Sequence, residues 1–294
     1  MWPLLTEATL FWVCLTFASW NGASGFRQTA RSTQPLTQLQ STASTDSDAM
    51  LAYVQKRLTE KGSEMIAGLR KDGYAVVDDC LSLSTMRSLR HEAEGLYRLG
   101  KFSVSQSTRW CPKQMKQIYY DKHNVFSFQL NGGQDYFSSP RLHEYVVSCV
   151  SSVSSLLQTA FPHAQLSNKL ASNKLAVCIG EGSGYDKHFD NAGALDTRKV
   201  TVLYYMNEYW RPENGGEFRI YKTDASSGEQ VTVDIEPRGD RLLVFWSDVL
   251  VHSVQPSFAQ NGEVDHRYAL TVWLTSTTTD AIINDSEEVK RHFG

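Results

Sequence analysis

His188 and Asp190 stand two positions apart in the stretch Gly-Tyr-Asp-Lys-His-Phe-Asp-Asn, residues 184–191. Positions i and i+2 of an extended strand share a face, so an imidazole and a carboxylate here can grip one metal ion together. In a chain with eight histidines a single His-x-Asp arises readily by chance, so the pair carries weight only with a third ligand. His252, near the start of a late strand in Val-Phe-Trp-Ser-Asp-Val-Leu-Val-His-Ser-Val-Gln-Pro, residues 244–256, is well placed to be that ligand. Two imidazoles and one carboxylate on one face of Fe(II) leave three coordination positions open. Two of those can chelate a 2-oxo acid and one can take O2.

Fifteen residues after His252, Arg267 opens the run Arg-Tyr-Ala-Leu-Thr-Val-Trp-Leu. A guanidinium pointing inward from a strand is costly unless it is paired. A dicarboxylate cosubstrate would satisfy it with two parallel hydrogen bonds, and the Tyr205 phenol, from Leu-Tyr-Tyr-Met-Asn on a facing strand, can add a third. Its neighbour Tyr204 should then face the opposite side of that strand.

Residues this far apart in sequence need a fold that brings them together. From about residue 173 the apolar period is that of strands, with candidates at 174–179, 185–190, 199–206, 216–222, 231–236, 241–246, 251–254 and 267–275, punctuated by Gly, Asn, Asp and Pro. This predicts a mainly β fold with flanking helices, a double-stranded β-helix (jelly roll), in which an early His-x-Asp and a late His converge in one barrel mouth. Upstream, helical spacing predicts a helix over 49–71 capped by Asp46, Ser47 or Asp48 and ended by Gly73, then a short strand from Tyr74, and a helix opened by Ser82 or Ser84. Pro140 suits the first position of another helix. Between them, residues 101–139 are read as a lid segment, with a strand from Val125 closing on a hairpin-type turn at Asn131-Gly-Gly and His123 on the surface. Gly180, Gly182 and Gly184 lack a following helix and so do not form a nucleotide loop.

With 294 residues, 41% hydrophobic and 21% charged, the chain can bury a full core. A formal net charge of -3 gives no broad basic surface for a phosphate backbone, so nucleic acid is not an expected partner. Residues 1–25 read as a signal peptide: their apolar run is short for a membrane-spanning helix, which needs about twenty residues, so no stable transmembrane segment is expected in the mature chain. Residues 26–48 are rich in Ser, Thr and Gln with Arg27 and Arg31, a transit-peptide-like and disordered composition. In tandem they resemble a bipartite plastid presequence; a secreted or endoplasmic-reticulum protein is the alternative. The five cysteines form no C-x-x-C pair, and no disulfide framework is expected.

The blocks G-Y-D-K-H-F-D-N, V-T-V-L-Y-Y-M-N, G-G-E-F-R-I-Y, D-I-E-P-R-G-D-R-L-L-V-F-W-S-D, H-S-V-Q-P and R-Y-A-L-T-V-W together resemble the catalytic domain of Fe(II)- and 2-oxoglutarate-dependent prolyl 4-hydroxylases, most like the oxygen-sensing branch known from animals. The resemblance implies His188, Asp190 and His252 as iron ligands and catalytic residues, with Arg267 and Tyr205 clamping the distal carboxylate of 2-oxoglutarate. It implies Tyr185 and Thr271 on the cosubstrate site and Trp273 near the substrate proline. Fe(2+), 2-oxoglutarate, O2 and L-ascorbate are the implied cofactors, and a protein or peptide with a target proline the implied partner. An oxygenase acting on a free amino acid or other small molecule, or a non-catalytic jelly-roll binding protein, remain the alternatives. The expected division is 1–25 signal peptide, 26–48 transit-like, 49–172 helical support and lid, 173–277 dioxygenase core and 278–294 tail. Two departures stand out: extra residues between His252 and Arg267, and no clear match over 101–139.

Overall fold

The computed structural model describes residues 49–111, 116–191, 195–223 and 227–283; the signal- and transit-like segments, the caps Asp46, Ser47 and Asp48, and most of the tail lie outside them. The helix expected over 49–71 is two helices, α1 (49–60) and α2 (Gly62–Asp72), meeting at Lys61. Gly62 sits where a β-carbon would come 2.2 Å from Leu156 Cδ1, so the absent side chain lets a later helix pack against the break. Gly73 ends α2 in the left-handed conformation (φ 78°) with its N–H on the Leu69 carbonyl, a role that favours glycine. After strand β1 (Tyr74–Val77), the Ser82 hydroxyl accepts from Thr85 N–H and caps α3 (Leu83–Arg98).

Residues 101–139 depart from the expected single strand. They hold a long antiparallel pair, β2 (Ser103–Cys111) and β3 (Lys116–Phe128). Asn131-Gly-Gly does not close a hairpin but leads into the short α4 (Gln134–Ser138). Pro140 then takes the first turn of α5 (Pro140–Ser148), which continues through a π-helical turn, Cys149–Val153, into α6 (Ser154–Ala160).

The strands that follow are β4 (Leu166–Cys178), β5 (Ser183–His188), β6 (Arg198–Tyr205), β7 (Phe218–Thr223), β8 (Gln230–Ile235), β9 (Arg241–Trp246), β10 (His252–Ser257) and β11 (Arg267–Ser276). They form a seven-stranded sheet ordered β1-β9-β6-β11-β4-β3-β2 and a four-stranded sheet ordered β5-β10-β7-β8, the two layers of a jelly roll. The stretch read as helical support thus contributes three strands to the large sheet. β4 also begins before residue 173: Ser-Asn-Lys-Leu-Ala-Ser-Asn-Lys lacks apolar alternation, and it is pairing with β11 that extends it.

Two cores follow from strand alternation. On the outer face of the large sheet, Val200, Val202, Tyr204, Leu270 and Val272 pack with Leu58, Met65, Leu89, Tyr145 and Leu157 of the helices. Between the sheets, Leu203, Tyr205, Phe218, Ile220, Leu243, Phe245 and Ala269 form a smaller cluster that floors the barrel mouth. Burying each such aliphatic or aromatic side chain stabilises by about 1.5–3 kcal/mol, so the helical layer is what holds the large sheet rigid behind the site. Cys80, Cys149 and Cys178 are free buried thiols, raised above their ordinary pKa by burial. Among the described residues no helix is long and apolar enough to cross a membrane.

Candidate active site

β5 and β10 are neighbours in the small sheet, and their register places His252 opposite His188, with ring centroids 4.3 Å apart. Each imidazole donates from Nδ1 to a carbonyl two residues back: His188 to Asp186 O at 2.7 Å and His252 to Leu250 O at 3.0 Å. Because a carbonyl can only accept, both rings are held in the tautomer whose Nε2 carries a lone pair. Those Nε2 atoms lie 3.6 and 3.7 Å from Asp190 Oδ1, and the three ligand atoms fall within 4.8 Å of one another.

β5 ends at His188, so Asp190 lies beyond the strand rather than within it. It is held instead by the opposite sheet. Thr201 Oγ1 donates to Asp190 Oδ2 at 2.6 Å, and Trp273 Nε1 donates to the same oxygen at 3.0 Å. Oδ1 is left facing the histidines. Burial opposes charge on Asp190, but His188, His252 and the Thr201 hydroxyl outweigh it and hold the carboxyl well below its usual range. Burial, with His188 alongside, lowers His252 to about 4, so its imidazole is neutral near pH 7. One carboxylate and two imidazoles that present Nε2 form the donor set that a divalent iron favours.

A cavity of about 360 Å³ opens on these groups. Arg267, Thr271 and Trp273 line it from alternate positions of β11, and Tyr185 lines it from β5. Arg267 is buried; its Nε donates to Gly216 O at 2.8 Å, while Nη2 has no partner among the described residues. Gly216 (φ 74°) must be glycine for this approach, since a β-carbon would come 2.8 Å from Arg267 Cδ. Tyr205, fully buried, sits with its ring centroid 5.1 Å from Arg267 Cζ, and its hydroxyl has no hydrogen-bond partner among the described residues. Burial pushes Tyr205 up to about 12, so it stays a phenol and a donor. Two buried donors with nothing to donate to, side by side, fit a carboxylate such as one end of 2-oxoglutarate. Tyr204 faces the other way, as alternation requires, and donates to Asp240 at 2.7 Å.

All the site residues named from sequence are therefore brought to one place, with two differences in detail. Tyr205 is beside Arg267 beneath the cavity, and the Trp273 indole N–H is engaged by Asp190. Sequence reasoning missed Thr201, Lys122 and Lys174. Thr201 alternates with Leu203 and Tyr205 on β6, and Lys174 with Ala176 and Cys178 on β4, so the period of two could have found both. His123 is exposed and bonds Glu181 O at 3.1 Å, away from the ligand cluster.

Comparison with known proteins agrees with this geometry. Residues 174–275 match the family model described as the 2OG-Fe(II) oxygenase superfamily. The chain is 33% identical over 215 residues to human Egl nine homolog 1, covering 70% of this chain and 44% of that protein. It is 32% identical over 222 residues to a hypoxia-inducible factor prolyl hydroxylase of Caenorhabditis elegans, covering 74% and 28%. The chain thus spans less than half the length of either relative. Among solved structures, a Trichoplax adhaerens prolyl hydroxylase in complex with a hypoxia inducible factor oxygen degradation domain peptide superposes with TM-score 0.61 at 25% identity, covering 85% of this chain and 97% of that one. A Phytophthora capsici prolyl 4-hydroxylase superposes with TM-score 0.62 at 28% identity, covering 80% and 68%.

Proposed function

We propose that this chain, whose residues 174–275 are a 2OG-Fe(II) oxygenase domain, hydroxylates prolyl residues in a protein or peptide, consuming 2-oxoglutarate and O2 and releasing succinate and CO2. The observation that carries the reading is the meeting, in one cavity, of the His188–Asp190–His252 cluster with Arg267, whose Nη2 has no partner among the described residues and which has the buried Tyr205 phenol beside it. Fe(II) and 2-oxoglutarate, when bound, supply the oxidative decarboxylation that transfers one oxygen atom of O2 to a C–H bond and the other to succinate. The chain's own residues position and enclose. His188, Asp190 and His252 would hold the metal; Arg267 and Tyr205 would orient the distal carboxylate; Tyr185 and Thr271 would line the cosubstrate; Trp273 and Thr201 fix the Asp190 rotamer. No general base is needed, so the protein's tasks are orientation and exclusion of water. L-ascorbate is the reductant we propose for keeping the metal ferrous.

A peptide rather than a small molecule is supported by a groove of about 490 Å³ alongside the cavity, lined by Tyr120, Asp121, Gly184, Tyr221 and Gln255 and sharing Lys122, Tyr185 and Val254 with it. An extended chain needs such a continuation onto the surface; a free amino acid does not. The relatives whose names include prolyl hydroxylase support proline as the target. The test is succinate release stimulated by proline peptides but not by free proline; stimulation by the free amino acid alone would favour a small-molecule oxygenase. We further propose that residues 1–48 direct the chain into the secretory route and onward to a plastid. Fusion of this segment to a fluorescent protein tests that, and a diffuse cytosolic signal would refute it.

A further inference from the structure

Four cationic side chains line the cavity, and two of them have no role so far. Arg267 faces the cosubstrate end, and Arg198 is paired with Asp196. Lys122, on β3, and Lys174, on β4, both lie over the ring of Tyr185, with Nζ 3.9 and 5.3 Å from its centroid. Lys174 also donates to the buried Ser105 hydroxyl at 2.8 Å. Among the described residues neither lysine forms an ion pair with a carboxylate. Of the nearby acids, Asp190 belongs to the metal cluster and Asp186 accepts from the Tyr120 hydroxyl at 2.7 Å. Two neighbouring ammonium groups sharing one aromatic ring are under-compensated, because a ring quadrupole replaces only part of the lost hydration.

We propose that Lys122 and Lys174 form a second carboxylate-binding pole, separate from Arg267, that receives an acidic side chain of the peptide beside its target proline. This rests on the reading of the chain as a peptidyl-proline dioxygenase and names a specificity element within it. The position argues for substrate rather than cosubstrate. A single dicarboxylate already has Arg267 and Tyr205 at one end and the metal cluster at the other. Lys174 stands opposite Thr271 and is only partly buried, whereas Arg267, whose partner across the same strands is Cys178, is buried. Lys122 precedes the point where β3 joins β4 at Val125, and it lines the outer groove as well as the cavity. The pair therefore spans the passage from surface groove to metal. Burial, and then Lys174, lower Lys122 to about 7, as expected of a cation lacking its counter-ion.

The test uses fluorescent peptides with one proline and a single Glu placed at each neighbouring position in turn, against the same peptides with Gln. Binding to the Fe(II)-loaded protein without oxygen is read by anisotropy, and 2-oxoglutarate affinity by calorimetry. One Glu position should bind about tenfold tighter than its Gln counterpart, the value of one charge-assisted contact. Lys122→Met with Lys174→Met should erase that preference and leave 2-oxoglutarate affinity unchanged, while Lys122→Arg with Lys174→Arg should restore it, which a folding defect would not. Equal binding of Glu and Gln peptides at every position overturns the proposal. So does loss of 2-oxoglutarate affinity in the methionine variant, which would assign the pair to the cosubstrate. A Glu preference without hydroxylation of any proline supports the carboxylate pole and refutes the prolyl activity.

Discussion

Trp273 donates its indole N–H to Asp190 Oδ2 at 3.0 Å, joining the last strand of the large sheet to the carboxylate that follows β5 of the small one. The bond crosses the barrel mouth. With Thr201 on the same oxygen at 2.6 Å, it turns the other oxygen toward His188 and His252. The metal cluster is thus assembled from both sheets, and its geometry depends on how they are held together.

Loss of either donor should loosen the metal before it affects cosubstrate recognition. Trp273→Phe and Thr201→Val are each expected to weaken Fe(II) affinity by about tenfold, the usual cost of removing a hydrogen bond behind a metal ligand. Metal titration of the purified variants checks this; unchanged affinity in both would mean that Asp190 is positioned by other contacts.

Tyr204 and Tyr205 point to opposite faces of β6 and should separate cleanly. Tyr204→Phe removes the hydrogen bond to buried Asp240 and should cost about 1–3 kcal/mol of stability with little change in the KM for 2-oxoglutarate. Tyr205→Phe removes a hydroxyl that has no hydrogen-bond partner among the described residues, so stability should hold while the KM rises about tenfold. Denaturant unfolding and kinetics on both variants decide it.

Arg267→Ala should raise the KM for 2-oxoglutarate by about a hundredfold, since truncating one partner of a buried charged contact costs roughly 2–5 kcal/mol. Without cosubstrate, the variant should unfold at the same temperature as the parent or a higher one, because an under-paired guanidinium has been removed. Thermal scans with and without 2-oxoglutarate distinguish this from simple misfolding.

Lys122 gives the free protein a pH dependence of defined sign. Its folded-state value near 7 lies below the unfolded value of about 10.4, so between these pH values the unfolded chain binds more protons and stability rises with pH. The destabilising effect of the charged form is complete below about pH 7 and gone above about pH 10.4. Lys122→Met should therefore raise the melting temperature most at or below neutral pH, with the gain fading as the solution becomes alkaline. A pH-independent gain would place the effect in packing instead.

Strand alternation and local chemistry made much of this site legible from sequence. Period two separated Tyr204 from Tyr205, while Thr271 and Trp273 were singled out by the family resemblance and prove to line the cavity at alternate positions of the strand that Arg267 opens; Ser82, Gly73 and Pro140 marked helix ends by capping and backbone preference. What stayed hidden depends on partners distant in the chain. The early part of β4 has no apolar alternation and is a strand because β11 pairs with it. The β2–β3 pair brings Lys122 to the cavity, yet its polar aromatic sequence reads as loop. The Trp273–Asp190 bond joins residues more than eighty positions apart, and no local pattern encodes it.

The most direct measurement is incubation of the Fe(II)-loaded protein with 2-oxoglutarate, a library of proline peptides and 18O-labelled O2, followed by mass spectrometry of the peptides and assay of succinate. The expected result is one labelled oxygen on proline, with succinate formed alongside, and neither product from the His188→Ala or Asp190→Ala variant. Unlabelled or absent hydroxyproline, or labelling that persists in both variants, would contradict the assignment of this cavity as a prolyl dioxygenase site.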